Sequence, residues 1–143
     1  MTGISFTLTQ AGMKTILSGD SHLVDGPVTA ALLNPGYSFE PMHASYGDVQ
    51  DFELKSQDYA PRELTGKIVV DPAIFTSDPI HFGSPVSLGP VGSVALVCAY
   101  SGAFKSTSPL LAVGEFTQGP VESIRASFIL TPSEAGWFSL IQP

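Results

Sequence analysis

Two apolar stretches in the second half of the chain constrain its fold more than any other feature. Residues Val91 to Tyr100 and Leu110 to Phe116 are the most continuously hydrophobic parts of the sequence. Both are far shorter than the roughly 20 apolar residues that a membrane-spanning helix needs. Glycine, serine and proline bound both stretches, which is typical of strands. We therefore predict that they are paired strands at the centre of a β-sheet.

The first of these stretches has two unequal faces, because side chains alternate along a strand. Bulky residues lie on one face and small ones on the other: Val94, Leu96, Cys98 and Tyr100 against Ala95, Val97 and Ala99. This pattern predicts a strand that is buried on both faces. The small face requires a close neighbour, either a helix over residues 10–18 or another subunit. Cys98 is expected to be a buried small hydrophobe.

The remaining elements follow from periodicity and capping signals. Alternation over residues 4–8 predicts a strand, and Thr9 is a suitable N-cap for a helix over residues 10–18. Met13, Ile16 and Leu17 would form its buried face. Further strands are expected at residues 28–33, 64–71, 123–130 and 137–141, with one short edge strand and turns in 72–90. The sequence thus predicts a mainly β protein with one short N-terminal α-helix, folded as an antiparallel, jelly-roll-like β-sandwich in a single domain over residues 1–143.

A long loop is expected over residues 38–63, where periodicity is weak. Loops beyond about 12–15 residues in a compact domain are usually functional or disordered, and the aromatic residues here argue against disorder. Its acids outnumber its bases: Glu40, Asp48, Asp51, Glu53, Asp58 and Glu63 against Lys55 and Arg62. A packed surface loop and a contact arm for a neighbouring subunit both remain open. The candidate interface residues are Tyr37, Phe39, Tyr46, Phe52 and Tyr59.

Charge excludes several classes of partner. With 13 acids against 6 bases, the chain carries a formal charge of −7. Such a surface repels phosphate backbones and anionic lipid headgroups, so we expect neither nucleic acid nor a membrane as partner. The first residues lack the basic and apolar regions of a signal peptide, so synthesis in the cytoplasm is expected.

No pattern in the sequence indicates catalysis, a metal or another cofactor, and we expect a protein that is not an enzyme. The polar turn at residues 20–25 contains Ser, His and Asp, but catalytic triads converge from separate elements. His22, His43 and His81 show no metal-ligand spacing. Gly66 and the lysine after it lack the other residues of a phosphate-binding loop.

Several motifs, taken in order, carry a family resemblance. They are Ala31 to Tyr37 (ALLNPGY), then His43, Tyr46, Asp48 and Val49, and later Pro109 to Ala112 followed by Phe116. With the elements around them, from residue 4 to about residue 141, they resemble a family of small virion structural proteins of tailed bacteriophages and prophages.

The resemblance implies a structural role in the virion. The expected function is that of a capsid decoration or cement protein that binds the major capsid protein and stabilises the head. Such a protein acts in many copies, so a homo-oligomer or symmetric assembly is expected. A tail or head–tail connector protein is one alternative. A glycan-binding or receptor-binding module is another, based on the aromatic side chains Tyr37, Tyr46 and Tyr59.

Overall fold

Over the residues that the structure describes, the protein is mainly β with one α-helix, as the sequence predicts. A computed structural model describes residues 4–18, 24, 26–70, 74–83, 86–98, 108–116, 119–132 and 136–139. In chain order the elements are β1 (Ile4–Leu8), α1 (Gln10–Ser18), β2 (Val28–Leu33), β3 (Arg62–Glu63), β4 (Ile68–Val70), β5 (Ile74–Thr76), β6 (Ile80–His81), β7 (Val86–Val91), β8 (Ser93–Cys98), β9 (Leu110–Phe116), β10 (Val121–Ala126), β11 (Ile129–Leu130) and β12 (Phe138–Ser139).

The largest sheet has five antiparallel strands in the order β1-β9-β8-β2-β3. The two apolar stretches supply β8 and β9, which are hydrogen-bonded neighbours inside this sheet, with Ala95 opposite Val113. The predicted central pair is therefore confirmed. Every residue of β8 is buried, which confirms burial on both faces. Ala99 and Tyr100 lie outside the described residues.

Three smaller antiparallel ladders share a core with the large sheet. Their strand orders are β12-β5-β4, β10-β7 and β11-β6. In this main core, Phe82 meets Phe128 edge to face, with ring centroids 5.9 Å apart. The indole nitrogen of Trp137 donates a hydrogen bond to Ser77 Oγ at 2.8 Å. Antiparallel β structure is confirmed, whereas the described residues do not form the single second sheet of a sandwich or jelly roll.

The helix begins as predicted but faces the sheet with a different side. The hydroxyl of Thr9 accepts a hydrogen bond from the Gly12 N–H at 2.8 Å and donates to the Leu110 carbonyl at 2.6 Å. Gly12 is buried against β9, whereas Met13 is exposed and Leu17 is 87% exposed. The predicted buried face was therefore wrong at these two positions, because close backbone contact at Gly12 decides which side of the helix faces the sheet.

Two regions contain more elements than the pattern predicts. Residues 72–90 hold β5, β6 and β7 rather than one short edge strand. The strand predicted over 123–130 is divided into β10 and β11, and Arg125 adopts a positive φ of 51°. Irregular pairing of β10 with β7 interrupts the alternation, so Ile124 is 73% exposed while Phe128 is buried. In the described part of the chain, no helix combines the length and apolarity needed to cross a membrane.

Candidate interaction surfaces

The segment 38–63 is folded against the large sheet. It contains two single-turn 3-10 helices, Tyr46–Asp48 and Gln50–Phe52. Beyond them the chain returns along the edge of β2: the Asn34 N–H donates to the Phe52 carbonyl at 2.7 Å, and the Leu54 N–H donates to the Leu32 carbonyl at 3.0 Å. Residues 52–54 therefore lie along the same edge of β2 that β3, at the end of the segment, covers further along.

This segment also covers the small-residue face of the sheet. A second cluster of buried residues lies on that side, separate from the main core. The sheet contributes Ala31, Leu33, Ala95, Val97, Leu110 and Val113, and the segment and the turn before it contribute Val49 and Tyr37. Phe39, Tyr46 and Phe52 pack against this cluster while partly buried. The close neighbour that the small face requires is thus the segment, whereas Ile16 of α1 packs against the main core.

A carboxylate clasp, formed by Glu53 with Tyr46 and Tyr59, joins the parts of the segment on either side of Glu53. Both Tyr46 and Tyr59 donate their hydroxyl hydrogens to the carboxylate of Glu53, one to each oxygen. The Tyr59 hydroxyl in turn accepts a hydrogen bond from the Leu32 N–H of β2 at 3.1 Å. Burial, reinforced by the hydrogen bond to Glu53, raises the pKa of Tyr46 and of Tyr59 above the usual range of a phenol. Both hydroxyls therefore keep their protons at neutral pH.

A second set of contacts fixes the first turns of the segment. The Tyr37 hydroxyl is hydrogen-bonded to His43 Nδ1 at 2.7 Å, and burial raises the pKa of Tyr37 to about 12. Asp48 accepts hydrogen bonds from the backbone N–H groups of Ala44, at 2.7 Å, and Ser45, at 3.2 Å. These bonds, led by the one from Ala44, lower the pKa of the Asp48 carboxyl. The carboxylate thus stays charged and closes the turn.

The five candidate interface aromatics all have intramolecular contacts. Tyr37, Phe39, Tyr46 and Phe52 lie together on the small-residue side, and the ring of Tyr37 meets that of Phe52 at 5.4 Å between centroids. Tyr59 instead packs against the main core, stacked on Phe82 at 6.4 Å. Their use in binding a partner stays a prediction.

The exposed side of the segment carries a methionine and several acids. Met42 is 73% exposed, in a turn closed by the His43 N–H donating to the Glu40 carbonyl at 3.0 Å. Glu40, Asp48 and Asp51 are exposed along the same segment. Methionine is adaptable and is common at protein-binding surfaces. This side is the first candidate interaction surface.

Sequence reasoning missed a second candidate, the exposed apolar strand β4. Its residues Ile68, Val69 and Val70 are 50%, 56% and 37% exposed. Three consecutive β-branched residues are typical of a buried strand, so the pattern predicts burial rather than exposure. The nearest signal is Lys67, since lysine often marks an edge strand.

The described residues contain no group of three or more His, Cys, Asp or Glu side chains arranged to hold a metal ion. An open groove of about 460 Å³ runs beside β10 and β11, with a mixed lining that includes Phe116 and Phe128 as well as Glu122, Ser127 and Thr131. Comparisons of the chain with protein-family models, with curated proteins and with solved structures find no match.

Proposed function

We propose that the chain is a virion structural protein of a tailed bacteriophage, and specifically a capsid decoration protein that binds the major capsid protein. One observation carries the proposal. The residues of the central motif that carries the resemblance, His43, Tyr46, Asp48 and Val49, all make contacts that order the segment 38–63 or bury it against the sheet. The resemblance therefore concerns residues that belong to the same folded part of the chain.

The proposed mechanism is binding by a surface that is already ordered. Association loses free energy to the ordering of loops and side chains, and a segment fixed beforehand reduces that cost. Here the clasp at Glu53 and the turn closed by Asp48 order the segment that carries Met42. Exposed acids in the same segment as the exposed Met42 fit a capsid surface that has an apolar pocket and basic side chains nearby.

Rebinding to stripped particles tests this proposal. Heads of the phage that carries the gene are stripped of the protein and incubated with purified wild type or variants. Met42→Asp should abolish rebinding, because it places a charge at the centre of the contact. Leu17→Asp is the matched control, since Leu17 is also highly exposed but lies on α1. Normal rebinding by Met42→Asp would exclude the segment as the contact surface.

Cryo-electron microscopy of intact particles tests the position. A decoration protein is expected in many copies at icosahedrally related sites on the head. A single ring at one vertex or along the tail would replace this proposal with the connector or tail alternative. Absence of the protein from purified virions would overturn the virion proposal altogether.

We do not extend the proposal to glycan binding. That alternative depends on tyrosine side chains that are open to a ligand. The hydroxyls of Tyr37, Tyr46 and Tyr59 all form hydrogen bonds within the chain, and their rings pack against the two clusters.

A further inference from the structure

The strand β4 has an open edge. It is the last strand of the ladder β12-β5-β4, and no strand pairs with its other side within the described ranges. All three of its side chains are exposed, although each is apolar. Such an edge presents unpaired backbone groups that can add another strand.

The register of the ladder shows which backbone groups face outward. The Phe75 carbonyl accepts a hydrogen bond from the Trp137 N–H at 2.8 Å, so the polar groups of Phe75 point towards β12. Backbone polar groups alternate in direction along a strand, so those of Ile74 and Thr76 point towards β4. Val69 is opposite Phe75. Its own N–H and C=O groups therefore point away from β5, to the open edge.

The side chains of β4 place no charge at this edge. Ile68, Val69 and Val70 are uncharged and β-branched, which suits cross-strand packing. Lys67, the residue before the strand, donates its ammonium hydrogen to the Gly26 carbonyl of the same chain. In a chain of net charge −7, two copies repel each other over most of their surfaces, and an uncharged edge is where they can meet.

We propose that two copies of this chain pair antiparallel through β4, about a two-fold axis at Val69. Each Val69 N–H then donates to the Val69 carbonyl of the other copy, which satisfies both outward groups at once. Ile68 of one copy lies opposite Val70 of the other, so no like charges face each other. A two-fold contact needs a surface that complements itself, and this strand meets that requirement.

The pairing rests on the proposed function in one respect, since it supplies the homotypic contact that a multi-copy structural protein needs. The two can nevertheless fail separately. A variant that cannot pair through β4 is still expected to bind stripped heads through the surface around Met42, with lower occupancy. A wild type that binds heads but does not pair would overturn the pairing alone, and a wild type that pairs but does not bind heads would overturn the proposed function alone.

Sedimentation analysis of the whole chain tests the pairing. Because the interface is small, the wild type is measured from about 10 µM to about 1 mM. We expect its average mass to rise from 15.0 kDa towards twice that value. Val69→Lys should remain monomeric, because two lysines would then face each other across the axis. Ile124→Lys is the matched control, with the same charge change at another exposed apolar residue, and should associate like the wild type.

A backbone variant and an exchange measurement complete the test. Val69→Pro removes the outward N–H without removing a hydrogen bond to β5, and should also stay monomeric. Amide hydrogen exchange at Val69 in the wild type should slow as concentration rises. A wild type that is monomeric throughout, or a Val69→Lys chain that associates normally, would overturn the proposal. A monomer whose Val69 amide is protected only on the particle would show that a strand of another protein fills the edge.

Discussion

The Cα atom of Gly12 lies so close to the backbone of Leu111 that an added Cβ would stand 2.1 Å from the Leu111 carbonyl oxygen. Only glycine permits this approach of helix to sheet, because the obstructing atom is backbone and cannot move aside as a side chain would. The contact sets the side of α1 that meets β9, and it leaves Met13 and Leu17 exposed.

Gly12→Ala should therefore destabilise the protein. Overpacking of this kind typically costs about 1–3 kcal/mol, which exceeds the roughly 1 kcal/mol by which alanine favours a helix over glycine. Denaturant unfolding followed by the fluorescence of Trp137, the only tryptophan, measures the change. Gly89→Ala is the control, because nothing lies within 4 Å of the position of its added Cβ. Equal stability of both variants would contradict the close contact.

The clasp predicts a coupled loss of stability. Tyr59→Phe removes the donor to Glu53 and leaves the Leu32 N–H without the hydroxyl that it binds, so we expect a cost of about 1–3 kcal/mol. Tyr46→Phe also removes a hydrogen bond to Glu53 but leaves the bond of the Leu32 N–H in place, so it should cost less. A double-mutant cycle of Tyr59→Phe with Glu53→Ala should show an interaction energy of about 0.5–3 kcal/mol. Strict additivity would mean that Tyr59 and Glu53 do not act together.

The buried phenols predict sensitivity to alkali. The pKa of Tyr37 is raised from 10.0 to about 12 in the folded state, so the folded state holds its proton more tightly than the unfolded state. Its contribution to stability is complete below pH 10 and is lost as pH rises from about 10 to about 12. Tyr46 and Tyr59 act in the same direction. Far-ultraviolet circular dichroism and tyrosinate absorbance should change together in this range, and Tyr37→Phe should weaken the pH dependence.

The main core predicts a large effect for one aromatic residue. Phe128 is buried and packs edge to face against Phe82, so Phe128→Ala should cost about 3–5 kcal/mol. Ile129→Ala, one position along, should cost much less because Ile129 is exposed. Comparison of their thermal unfolding midpoints checks this difference. Similar midpoints would place Phe128 outside the core.

The single cysteine should behave as a core residue. Cys98 is buried in β8, so a water-soluble thiol reagent should modify it only when the protein opens. Labelling without denaturant should be slow and should accelerate in Phe128→Ala. Rapid modification of the folded wild type would contradict the burial of β8.

Local patterns were enough to predict much of the framework. The apolar runs of β8 and β9, the alternation in β1 and the N-cap at Thr9 depend on neighbouring residues, and all were confirmed. Predictions were wrong where a distant contact overrides the local pattern. The buried side of α1 depends on Leu111, about a hundred residues away, and Ile124 turns outward because pairing with β7 is irregular.

The two candidate interaction surfaces also combine features that the sequence predicts with features that only distant contacts decide. The sequence identifies the segment 38–63 by its length, aromatics and acids, but its pattern does not say that the rings turn inward and leave Met42 outside. Nor does the sequence pattern distinguish the exposed strand β4 from a buried one, because the exposure of β4 depends on whether another strand lies beside it. By itself, the sequence determined the central strand pair and the need for something close behind its small face. Tertiary structure decided that the neighbour is the segment itself, because the contacts of Val49, Tyr46 and Glu53 with that sheet form only when the chain returns on itself.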